Sequence, residues 1–123
     1  MSGNLRNILR GLEHLGITAQ VAREPELVMK SDRIILPGVG AFAAGMAELK
    51  SRDLDQALIS VAKKGKPLLG ICLGMQMLFD VSTENGRHSG LGLIGGKVVA
   101  IPKGNEEGGE KKRKVPHIGW NEL

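Results

Sequence analysis

The sequence predicts an α/β domain: a mostly parallel sheet with helices on both faces. Short apolar segments alternate with helix-spaced ones along the chain, and those apolar segments are continuously hydrophobic, as strands buried on both faces are. Composition agrees with a folded aliphatic core. Of the 123 residues, 41% are hydrophobic and 24% charged, with only two Phe and one Trp, the profile of one small globular domain covering 1–123.

The elements follow in order. "NLRNILRGLEHLG" places Leu5, Ile8, Leu9, Leu12 and Leu15 at three- and four-residue spacing and closes on Gly16, an amphipathic helix with a glycine stop. "ITAQVA" reads as a short strand, and "RIILPGVG" as a second, stopped by Pro37, Gly38 and Gly40. Helices are expected at 42–50 and 54–64, the second with Leu54, Leu58, Val61 and Ala62 on one stripe. "PLLGIC" gives a third strand and a helix begins near Leu73. Residues 82–90 read as polar loop, "KVVAIP" as a strand, and "VPHIGWNEL" as extended segment and turn. An architecture of this kind opens with a buried strand feeding its first helix, yet only Met1 to Gly3 precede the first helical pattern. The expectation is an incomplete sheet.

The candidate site is the "GICLG" stretch. Gly70 and Gly74 stand two residues either side of Cys72, the thiol form of the G-x-S-x-G nucleophile elbow. A strand turning sharply into a helix strains the residue at the bend, and side chains two positions before and after it would collide. Cys72 would project at a helix amino terminus, where dipole and free amides favour the nucleophilic thiolate. The Leu73 amide would face the oxygen of a carbonyl attacked by the sulfur. A second donor comes from the "PGVG" turn, through Val39 or Gly40. The competing reading of Cys72 as a small buried hydrophobe leaves the flanking glycines and the second turn unexplained.

Four segments, "LPGVGAF", "GKPLLGICLGMQMLF", "GLGLIGGKVVAIP" and "VPHIGWN", in this order and at these distances, resemble the glutaminase subunits of imidazole glycerol phosphate synthase. These are triad-type (class I) glutamine amidotransferases with a flavodoxin-like fold. The resemblance runs from about Gly3 to the last residue. It implies that Cys72 attacks the side-chain amide of glutamine, releases ammonia and leaves a glutamyl thioester for water to hydrolyse. It implies oxyanion donors at Leu73 and the Val39-Gly40 turn, and glutamine held by Gly38, Gly40 and Gln76. It further implies a cyclase barrel subunit as heterodimer partner that consumes the ammonia in histidine biosynthesis, faced by Asn4 and Trp120; core packing is the alternative for Trp120.

A cysteine amidase also needs a base and a group that orients it. The family supplies both as a histidine followed two residues later by glutamate. Here His14, His88 and His117 are followed at that offset by Gly16, Gly90 and Gly119. The expectation is therefore a chain cut at both ends, carrying nucleophile and oxyanion donors without the base and with little turnover alone. Two rival readings stand beside it: an inactive pseudo-subunit that at most binds the cyclase, and an elbow-cysteine hydrolase using an upstream glutamate, for which Glu24, Glu26 and Glu48 are available.

Other chemistries are disfavoured. "GLGLIG" matches G-x-G-x-x-G but follows polar "STENGRHS" and leads into a strand-like segment, the wrong context for a dinucleotide, so no cofactor is expected. One cysteine and three scattered histidines give no metal-ligand spacing. Four of the basic residues behind the formal charge of +4 cluster in "KKRK", a solvated loop, and few aromatics are available to stack on bases, so nucleic acid is not an expected partner. No apolar run is of membrane length and no leader is evident. A lone thiol fits a reducing, cytoplasmic setting.

Overall fold

Two parallel strands and the helices that connect them organise the core. The computed structural model describes residues 3–102. The elements are α1 (Gly3–His14), α2 (Pro25–Lys30), β1 (Ile34–Gly38), α3 (Phe42–Ser51), α4 (Leu54–Lys63), β2 (Leu68–Cys72), α5 (Leu73–Met77), β3 (Phe79–Ser82), β4 (His88–Ser89) and β5 (Ile94–Val98). The class is α/β. β1 pairs in parallel with β2, and a second sheet has the order β4-β3-β5, with β3 antiparallel to β4 and parallel to β5.

Side chains alternate across β1 and β2, and the register pairs Ile34 with Leu68 and Leu36 with Gly70. That face joins a core of Leu36, Phe42, Met46, Leu58, Val61, Leu73 and Met77. α4 supplies its centre: Leu54, Ala57, Leu58 and Val61 recur every three or four residues, and Val61 is 0% exposed. The opposite face is barely covered, and Leu69 is 57% exposed.

Three local expectations need correction. The "ITAQVA" stretch, 17–22, is not a strand. Among the described residues its only backbone hydrogen bond is from the Ile17 N–H to the Leu12 carbonyl, and strand propensity without a paired edge does not make a strand. The last strand spans Ile94–Val98 rather than starting at Lys97. A bulge between Phe79 and Val81 shifts its register on β3, and Gly96, at φ 135°, donates its N–H to the Asp80 carboxylate at 2.9 Å. Residues 82–90 are not all loop, since Ser82 and His88 pair between β3 and β4.

α2 was not anticipated, although Pro25 at its first turn, Glu26 beside it and Lys30 at its end are helix-terminus signals. Lys66 Nζ donates to the carbonyls of Met29 at 2.6 Å and Ser31 at 2.8 Å, fastening the end of α2 to the residue pair that leads into β2. No described helix is long and apolar enough to cross a membrane.

Candidate active site

β2 passes into α5 with no connecting residue, and Cys72 is the hinge. Its backbone takes φ 56° and ψ −122°, a region that costs an L-residue on the order of 1–3 kcal/mol and persists only where surrounding structure enforces it. The glycines show how it is enforced. A Cβ on Gly70 would lie 2.6 Å from the Met75 Cα and 2.7 Å from its N, while one on Gly74 would run into the Leu36 carbonyl oxygen of β1. The same Cβ on Gly70 would stand 3.0 Å from the Gly74 carbonyl carbon, so the two flanking positions do approach each other, but the tighter contacts are with Met75 and β1. Gly70 makes room for the start of α5, and Gly74 lets α5 lie directly on the neighbouring strand.

The second turn meets the first at one rung of the ladder. Gly38 is the register partner of Cys72, and a Cβ on it would stand 2.9 Å from the Gly74 N and 3.0 Å from the Leu73 Cβ. Both strands thus end side by side at their carboxyl ends, with Val39 and Gly40 leaving one end and Leu73 the other. Gly40 has φ 92°, a conformation that glycine adopts at little cost. Cys72 is exposed, Val39 is 56% exposed and Leu73 is buried at 3%. Gln76 lies four residues beyond Cys72, about one helical turn on, and is half-buried.

The remaining expected residues are not gathered here. Asn4 is exposed on α1. Trp120 and His117, with the "KKRK" run, lie outside the described residues. His14 ends α1, and His88 Nε2–H donates to the Asn85 carbonyl at 2.9 Å. Glu48 pairs with Arg52 at 2.7 Å on α3. Among the described residues, no hydrogen bond reaches the Cys72 sulfur. Nor does the large cleft of the molecule open there: its lining includes α1 and β1 residues but not Cys72, Leu73 or the Val39-Gly40 turn.

One contributor escaped the sequence reading. A Cβ on Gly45 would stand 2.7 Å from the Met77 Sδ and 3.1 Å from the Leu73 Cδ2, so the absence of a side chain on α3 lets α5 seat against it. The run of small residues Ala43, Ala44 and Gly45, two residues past the "PGVG" turn, was the available signal.

A strained, solvent-facing cysteine at a strand-to-helix corner of a parallel α/β layer has the backbone geometry of a nucleophile elbow. The family model "Glutamine amidotransferase class-I" matches residues 1–122. The chain belongs to that family. Among its relatives are proteins named imidazole glycerol phosphate synthase subunit HisH. The one from Desulfitobacterium hafniense is 51% identical over 98% of this chain and 54% of its own length. Those from Legionella pneumophila and Lactiplantibacillus plantarum are each 46% identical over 98% of this chain, and over 56% and 55% of their own lengths. The chain spans about half the length of the curated relatives it matches.

Proposed function

We propose that this chain carries the nucleophile portion of a glutaminase site belonging to an imidazole glycerol phosphate synthase, with ammonia passed to a cyclase barrel subunit in the cytoplasm. The observation that carries the reading is the exposed Cys72 held at φ 56° on the same ladder rung as Gly38. Relatives at 46–51% identity bear the name of such a synthase subunit.

In this reading the Cys72 sulfur adds to the side-chain amide carbon of glutamine. Carbonyl electrons move to oxygen, which accepts hydrogen bonds from the Leu73 amide and from an amide of the Val39-Gly40 turn. The C–N bond then breaks, ammonia leaves with the proton given up by the thiol, and a glutamyl thioester remains on Cys72. Water attacks that thioester through a second oxyanion and releases glutamate. Gly38 and Gly40 admit the substrate close to the backbone, and Gln76 offers its amide to the substrate's polar end. Asn4 and Trp120 are assigned to the surface that meets the cyclase.

Proton transfer is the step this sequence serves poorly, because none of its histidines is followed two residues later by an acid. General acid–base catalysis contributes about 10²–10⁴-fold, so steady ammonia release by the 123-residue chain should fall short of a complete triad by at least that factor. A pseudo-subunit that only binds the cyclase is the second reading, favoured by the same missing base. Ammonia release from glutamine, measured with and without the cyclase subunit, tests both. Release that is slow but abolished by Cys72→Ala supports the glutaminase reading. Cyclase binding with no Cys72-dependent release favours the pseudo-subunit, and brisk turnover would overturn the assignment of the missing base.

A further inference from the structure

On the glutaminase reading, which this inference presupposes, we propose that Phe42 is a positioning residue for the oxyanion pocket. Through a backbone strap, residues 90–94, it holds the Val39-Gly40 turn at a set distance from the Leu73 amide. Phe42 opens α3 two residues past Gly40, and Leu73 opens α5. Each helix therefore starts at one of the two donors. How the two helices lie against each other sets the gap between those donors.

The strap is anchored first on α5 and the residues that follow it. The N–H groups of Gly90, Leu91 and Gly92 donate to the carbonyls of Asp80 at 2.9 Å, Met77 at 2.8 Å and Phe79 at 3.2 Å, and those of Leu93 and Ile94 both donate to the Leu78 carbonyl, at 2.8 and 2.9 Å. α5 has only five residues, too few to persist by its own hydrogen bonds, and its last carbonyls need partners from outside the helix. The strap supplies them. Leu91 is buried and Leu93 packs on the core, so side chains hold the strap as well. Beyond it, the exposed Asp80 carboxylate accepts from the Gly96 N–H at 2.9 Å and fastens the outgoing end.

α3 meets the strap at its first residue. A Cβ on Gly90 would run into the Phe79 carbonyl oxygen and would stand 3.2 Å from the Phe42 Cζ, so the tip of the buried Phe42 ring rests against bare backbone. Met77 closes a triangle. Its Sδ takes the space that a Gly45 side chain would need, while its carbonyl accepts from Leu91. α3 is thus seated at two points three residues apart, on α5 directly at Gly45 and through the strap at Phe42, and such positions share one helix face. Two seats fix a tilt that one would leave free. Placement matters because a displacement of about 1 Å at a reacting centre can cost 10²-fold in rate.

The test uses the whole 123-residue chain and a chloroketone analogue of glutamine. Its carbonyl meets the Cys72 sulfur and its chloride leaves without taking a proton, so the rate reads nucleophile and oxyanion donors without the base. Iodoacetamide develops no oxyanion and reports thiol reactivity alone. In Phe42→Leu the limiting chloroketone rate should fall about tenfold, a part of the roughly 10²–10³-fold that a whole donor is worth, at unchanged half-saturating concentration and iodoacetamide rate. Phe42→Met, with the longer reach, should recover most of that rate. Asp80→Ala loosens the strap from an exposed position and should lower the same rate about threefold, the size of one hydrogen bond; Asp80→Asn keeps an accepting oxygen and should not. A wild-type chain whose chloroketone reaction glutamine does not slow would overturn the glutaminase reading and this inference with it. With the wild type protected, an unchanged rate in Phe42→Leu, an equal fall in Phe42→Met, or a parallel fall with iodoacetamide would overturn the positioning role alone.

Discussion

Cys72 occupies a backbone conformation, φ 56° and ψ −122°, that its side chain makes costly. Its exposure means that little apolar contact offsets the strain, so Cys72→Gly should raise the unfolding free energy by about 1 kcal/mol, the strain relieved less the extra chain entropy of glycine. Cys72→Ser keeps a Cβ and should not. Thermal unfolding of the two variants decides it: a glycine variant melting no higher than the serine variant would mean the corner stores no strain. Gly70, Gly74 and Gly38 were legible as a group because glycines in a turn declare a need for space. Which atoms claim that space was not legible, since Gly74 is required by a carbonyl on another strand, 38 residues earlier in the chain.

At the scale of elements, two helices were readable to within a residue or two: Phe42–Ser51 and Leu54–Lys63 fall where 42–50 and 54–64 were expected, the second on its apolar stripe. Strands were harder, because a strand exists only with a partner. Residues 17–22 have the composition and lack the pairing, while Ile94–Val98 contains Gly95 and Gly96 and is a strand because β3 holds it. α2 depends on a distant cap. Lys66→Met removes both charge-assisted bonds to the Met29 and Ser31 carbonyls and should cost about 2 kcal/mol, read as a lower urea midpoint at unchanged slope. A loss under about 0.5 kcal/mol, the size of an ordinary surface substitution, would mean the cap contributes nothing.

Across the whole molecule, the parallel pair carries the packed core on one face and the elbow at its carboxyl ends, and an apolar cleft runs along β1 and into the margin of that core, lined by Leu36, Leu54 and Leu58 among others. The class was legible because the order of apolar and helix-spaced segments dictates parallel pairing; the split into two sheets was not, since it depends on which edges find partners. The glutaminase reading predicts a Cys72 that is selective as well as reactive. The most direct measurement is mass-resolved labelling of the chain by a glutamine analogue bearing a diazoketone in place of its amide, compared with iodoacetamide. The account predicts one adduct, on Cys72, suppressed by excess glutamine and lost in Gly74→Ala, while iodoacetamide still labels Cys72 in that variant. Equal, unprotected reaction with both reagents, or none with the analogue, would contradict it.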